Sequence, residues 1–157
     1  MTAGCGALAL VILVPLLLVV SGIGLPVAFD QGFARDYVPS RQAALGNIAT
    51  LATYLESCES AGGAQPCYPQ ADSLAGAAGD ESQLVSRESS LFFFPSCLRP
   101  SAGQESAALT QMTQSGRGIR DVSPSEKVAV HMLLNDISVQ LGLARAAVAA
   151  GLKCESS

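Results

Sequence analysis

Charge is scarce in this chain. Only 14% of its 157 residues are Asp, Glu, Lys or Arg, against about 25% in an ordinary soluble domain. The deficit is local: no charged side chain precedes Asp30. One soluble globular domain is therefore excluded as a description of the whole chain. A net charge of -4 and a sequence pI near 4.8 exclude a nucleic-acid binder. Tryptophan is absent and His131 is the only histidine, which leaves a Ser-His-Asp triad or a histidine metal site short of parts. A P-loop, a Gly-x-Gly-x-x-Gly run on a strand and a Gly-x-Ser-x-Gly elbow are all missing. Asn47 and Asn135 lack glycosylation sequons, and Asp80-Glu81 is the only adjacent acid pair. No two acids are placed to work as a tuned acid and base. The expectation is a non-enzymatic protein without metal or cofactor.

What is present begins with a long apolar run. Residues 7–20 read ALALVILVPLLLVV, and with 21–27 the stretch reaches the ~20 residues that cross ~30 Å of hydrocarbon. Pro15 sits in its middle, a kink that lipid tolerates because neighbouring groups re-satisfy the freed carbonyl. The sequence MTAGCG ahead of the run has no Lys or Arg, unlike the basic start of a signal peptide. Residues 1–27 are therefore read as a retained transmembrane anchor. The competing reading is a secreted, disulfide-bonded binding module released by cleavage near Gly22. Cys5 is a candidate for palmitoylation, against the blander reading of a buried thiol.

Phe29, Phe33 and Tyr37 follow at i, i+4 and i+8, one face of a helix. Residues 28–39 are read as an amphipathic collar with its rings at the membrane interface; the alternative packs the same rings into the polar domain. Pro39 is expected to break the collar and Ser40 to open the next helix. There Leu45, Ile48, Ala52 and Leu55 form an apolar stripe that ends near Cys58 and Gly62-Gly63. Residues 61–80, rich in Ala, Gly, Pro and Ser, are expected to be an irregular loop, with a short helix over 80–90. Phe92, Phe93 and Phe94 form a triplet too close-set to share one side, read as a core plug or as a partner patch. A weak helix is expected over 102–114, stopped at Gly116-Arg117-Gly118.

The last segment has the clearest pattern. Ser123-Pro124-Ser125-Glu126 reads as a capping box with Pro at the first helical position. Val130, Leu134, Ile137, Leu141, Ala144 and Val148 then form a heptad-like packing seam. A helix from 124 to about 153 would be roughly 45 Å long. Its seam requires either the helix near 40–58 or a second chain.

Four cysteines follow the apolar run: Cys58, Cys67, Cys97 and Cys154. An even number in a small domain points to two disulfides and an extracytoplasmic setting. Of the three pairings, Cys58–Cys67 with Cys97–Cys154 is expected. The spacings are unlike a structural zinc site. Arg35 and Arg41 after the span argue the other way, toward a cytoplasmic domain; the cysteines and a total of two lysines outweigh them. The layout is an all-α protein with an N-terminal anchor (1–27), a collar (28–39) and a disulfide-stapled helical domain (40–157). That implies a single-pass accessory or structural subunit of a membrane assembly, its domain on the periplasmic or extracellular side. Its expected partners are the lipid bilayer and other membrane subunits or further copies of itself. The apolar helix ahead of a cysteine-bearing domain is similar in outline to pilin-like and pseudopilin subunits. That resemblance covers about 30 residues and implies a filament or secretion role. It departs from the family pattern at Val11, where a Glu would stand.

Overall fold

A computed structural model describes the backbone of residues 5–62, 67–123 and 125–156 and the side chains of 32–60, 67–123 and 125–154. The described residues are helical or turn, with no strand. Four helices run in order: α1 (Cys5–Gly62), α2 (Tyr68–Ser90), α3 (Arg99–Asp121) and α4 (Lys127–Gly151), closed by a 3-10 turn at Leu152–Ser156. Helix α1 packs against α2 and α4, and α3 against the same two. With short connections this is an up-down-up-down bundle, built on the part of α1 that begins near Phe33. The side chains of the expected anchor (1–27) and of Phe29 lie outside the described residues.

On α1, Ala34, Tyr37, Val38, Arg41, Leu45, Ile48, Ala52 and Leu55 are buried. Their 3-1-3-4-3-4-3 spacing is a single uninterrupted stripe. The boundary expected at Pro39 does not exist: α1 passes through Pro39 and Ser40 without a break. Proline removes one hydrogen bond and disfavours helix at the residue before it. Here Tyr37, Val38 and Arg41 are all buried on the bundle side, and their packing outweighs that loss. Pro39 itself is exposed.

The expected loop at 61–80 is also corrected. From Tyr68 onward the segment is α2, with Ala71, Leu74, Ala75, Ala78, Ser82 and Val85 buried. Pro69 sits in the first turn, where its missing N–H costs nothing. Helix α3 likewise runs past its expected stop at Gly116-Arg117-Gly118 to Asp121. A Cβ at Gly116 would stand 3.1 Å from Ala75 Cβ and 3.3 Å from the Ala71 carbonyl, so this glycine lets α2 and α3 approach. The same contact face carries hydroxyls: Ser82 Oγ lies 3.0 Å from the Ser106 carbonyl and 2.8 Å from Thr110 Oγ1.

Helix α4 begins at Lys127, later than the expected Pro124, and its N-cap Glu126 makes no side-chain cap bond. Half of the expected capping box is present, the Ser123 amide donating to Glu126 Oε2 at 3.3 Å. Ser123 Oγ pairs instead with Ser125 Oγ at 2.9 Å; Pro124 lies outside the described residues. All six seam residues, Val130, Leu134, Ile137, Leu141, Ala144 and Val148, are buried within the bundle. The seam is thus filled by α3 and α1 and leaves no room on it for a second chain.

By length and composition alone, one helix among the described residues could cross a membrane, Lys127–Cys154, with a mean hydropathy of 1.2. The origin of that value is visible in α4. Opposite its buried seam, Val128, Met132, Val139 and Leu143 form a second apolar stripe, each at least half exposed.

Candidate functional site

The site is assembled from the α2–α3 connection and from the end of α1 that meets it. At the far end of α1, the sulfurs of Cys58 and Cys67 stand 2.11 Å apart. This turns α2 back along α1. Arg41 then meets Glu81 and Glu88, and Phe94 reaches Phe33 and Tyr37. The other sulfurs, Cys97 and Cys154, are 1.96 Å apart and tie the α2–α3 connection to the end of α4. These are the two expected pairs. Nearby, a Cβ at Gly151 would meet Leu98 Cδ2 at 3.1 Å and Val38 Cγ2 at 3.4 Å. So α4 returns to the same end of the bundle.

The Phe triplet divides. The Phe94 amide donates to the Leu91 carbonyl at 3.1 Å, closing a tight turn over residues 91–94. Phe94, buried, is edge-on to Phe33 and to Tyr37, with ring centroids 5.4 Å away in both cases. Phe33 and Tyr37 are themselves stacked at 5.7 Å. The collar reading is therefore corrected for these two residues. Tyr37 is 7% exposed and Phe33 half-buried, because three rings in mutual contact gain more than rings left singly at a surface. As a patch member Phe94 is corrected too, being the core plug of the triplet. Phe92 and Phe93 sit at the corner of the turn, 92% and 44% exposed, their rings edge-on at 5.2 Å. Arg99 holds the turn in shape, donating to the carbonyls of Ser89, Leu91 and Phe94.

Beneath the rings is a charge cluster that the sequence did not signal. The Arg41 guanidinium lies 5.1 Å over the Tyr37 ring, a cation–π geometry. Its Nη1 donates to Glu81 Oε1 at 2.5 Å and its Nη2 to Glu88 Oε2 at 2.7 Å. Glu105 from α3 is 1% exposed, and its Oε1, the Tyr37 hydroxyl and Arg41 Nε have no hydrogen-bond partner among the described residues. Burial pushes the Glu105 carboxyl up to about 7; Arg41 opposes this, while Glu81 and Glu88 add to it. Burial, and then the neighbouring Glu105, raise the Tyr37 phenol far above its ordinary range. One cation thus joins α1 to α2 and faces an acid of α3. Arg41 is sealed at 5% exposure, so the cluster acts as a clasp and offers no open surface to a substrate. Its members are 40 and 47 residues apart in sequence, a separation that no local pattern reveals.

Two shallow clefts lie on the surface of the described residues. One, about 540 Å³, lies between α1 and α2 beside Cys58 and is lined by Leu51, Tyr54, Ser57, Pro69, Gln70 and Ser73. The other, about 480 Å³, lies between α3 and α4 among Gln104, Ala107, Ala108, Gln140, Leu143, Ala146 and Ala147. Among the described residues, neither lining includes a charged one. His131 is exposed on α4. Among the described residues no group of three or more His, Cys, Asp or Glu side chains is placed to hold a metal ion.

No family model, curated protein or solved structure matches this chain.

Proposed function

We propose that the chain is a non-catalytic, single-pass subunit of a membrane protein assembly. Residues 1–27 anchor it, and the disulfide-stapled bundle stands on the extracytoplasmic side and makes the protein contacts. The carrying observation is the second apolar stripe of α4. A helix in a small bundle needs one apolar face, yet α4 has two, and the bundle covers only one. Val128, Met132, Val139 and Leu143 lie outside, and Leu143 with Ala146 continues into the uncharged cleft against α3. Exposed apolar side chains grouped on one face, here interrupted at Asn135, mark interaction sites, and small residues in the cleft permit close approach of a partner helix. In support of an anchor, the charge-free first 29 residues lead into the same helix that enters the bundle.

The test is a photo-crosslinker placed at Met132 in the full-length chain in its native membrane, with Ser86 on the exposed side of α2 as control. A discrete crosslinked product from Met132 and none from Ser86 is expected, with the chain retained in the membrane after alkaline washing. Recovery in the aqueous fraction, or a lone monomer from both positions, overturns the reading.

A further inference from the structure

We infer that the turn at Leu91–Phe94 is a second membrane contact, its Phe92 and Phe93 rings set into the interface of the same bilayer that holds residues 1–27. This rests on the anchor reading of the proposed function and names what that end of the bundle meets.

Placement comes first. Phe94 is in ring contact with Phe33, and Phe33 is six residues beyond Val27, where the apolar run ends, on one continuous helix. At 1.5 Å per residue that is about 9 Å along the axis, a few ångströms past the roughly 5–7.5 Å of headgroup on each side of the hydrocarbon, and side chains on a helix lean back toward its N-terminus, here toward the span. The turn is held at the anchor end of the bundle from three sides: by Phe33 and Tyr37 on Phe94, by Arg99 on its carbonyls, and by Cys97–Cys154 behind it. The opposite end of the bundle, by Cys58–Cys67, has no comparable exposed ring pair among the described residues.

Composition comes second. The corner of a tight turn ordinarily holds Gly, Pro, Asn, Asp or Ser, each for a local backbone reason. Here it holds two phenylalanines, one of them almost wholly exposed. Neither supports the bundle, since Phe94 alone fills the core. Leu91 beside them and Leu152 on the closing turn are also exposed, at 42% and 43%. Exposed Arg35 stands two residues beyond Phe33, the ring that Phe94 touches, and supplies a cation for lipid phosphates. Apolar residues bordered by basic ones are the composition of surfaces that settle at the headgroup–acyl boundary. The aromatic belt expected from Phe33 and Tyr37 is thus supplied by Phe92 and Phe93, and the first two rings hold the second two in place.

Because the chain has no tryptophan, Phe92→Trp installs a unique fluorophore. The full-length variant is reconstituted into vesicles of phosphatidylcholine and phosphatidylglycerol, with or without lipid brominated high on the acyl chain. A parallel Leu17→Trp variant reports on the anchor itself. The expected result is blue-shifted emission from Phe92→Trp, most of it lost in brominated vesicles and little of it lost to aqueous iodide. Emission that is water-like and quenched by iodide, or blue-shifted but indifferent to bromine, overturns the inference. If the Leu17→Trp variant is quenched by bromine in that case, the anchor stands and only the turn contact falls. If neither is quenched, both fall together.

Discussion

Tyr37 and Phe94 meet edge to face, ring centroids 5.4 Å apart and planes at 82°, and this contact joins the start of the bundle to the connection between its second and third helices. Tyr37 comes from a stretch that reads as a surface collar, and Phe94 from a triplet that reads as ambiguous. Each resolves the other. Once Phe94 is buried against Phe33 and Tyr37, the turn geometry forces Phe92 and Phe93 outward.

The division of the triplet is testable by truncation. Phe94→Ala removes a buried ring, and losses of about 3–5 kcal/mol are usual for such changes. Phe92→Ala removes a ring that is 92% exposed, so a change within about 0.5 kcal/mol is expected. Thermal melts of the detergent-solubilised chain, followed by circular dichroism, compare the two. Equal effects would contradict the placement of the rings.

Glu105 makes stability depend on pH. Its carboxyl titrates near 4.5 in an ordinary setting and at about 7 in the bundle. The folded chain therefore holds this proton more tightly than the unfolded one. The stabilisation is fully present below about 4.5 and is lost as pH rises through about 7. At about 1.4 kcal/mol per pKa unit the loss is on the order of 3 kcal/mol. Melting temperature is expected to fall between pH 5 and pH 8, and Glu105→Gln to flatten that fall. An unchanged slope in the variant would assign the effect to another group.

Much of the bundle was legible because burial writes itself into spacing. The stripe Leu45, Ile48, Ala52, Leu55 and the seam from Val130 to Val148 follow helical periods, and both are buried. Only the 80–90 part of helix α2 is legible as helix; its first half reads as a loop because the core face is mostly alanine, with a serine at Ser82, and small residues bury little apolar area and leave a faint pattern. The positions 71, 74, 75, 78, 82 and 85 nevertheless had helical spacing, and the Gly and Pro content around them outweighed it. Pro39 and Gly116 misled for a related reason, since local propensity yields where tertiary packing is dense. The Arg41 cluster was beyond reach, as its charges meet only when three helices have assembled. The outer stripe of α4 was present at 128, 132, 139 and 143 and was obscured by the stronger seam beside it.

The glycines of α3 give opposite expectations within one helix. At Gly103 an added Cβ meets nothing within 4 Å, so Gly103→Ala should stabilise by about 0.5–1 kcal/mol through helix propensity. At Gly116 the added Cβ would be driven against Ala75 Cβ and the Ala71 carbonyl. The carbonyl is backbone and cannot step aside, so α2 and α3 must separate. Gly116→Ala is expected to destabilise by about 1–3 kcal/mol. The sign of the difference, read from denaturant midpoints, tests the α2–α3 approach.

The two disulfides differ in what they should contribute. Cys58 and Cys67 are 9 residues apart, Cys97 and Cys154 are 57 apart. In the chain-entropy account a crosslink stabilises by restricting the unfolded chain, more so for a longer loop. That gives about 2.6 kcal/mol for the short loop and about 4 kcal/mol for the long one. Replacing Cys97 and Cys154 together by serine should therefore lower the denaturation midpoint more than replacing Cys58 and Cys67. The long crosslink also fixes the Phe92–Phe93 turn to the end of α4. Its loss should loosen that turn, seen as faster hydrogen exchange at the Phe94 amide, which donates to the Leu91 carbonyl. Loss of the short crosslink should leave that amide protected, since Cys58 and Cys67 lie at the other end of the bundle. A larger effect from the short loop on both measures would contradict the arrangement of the four helices.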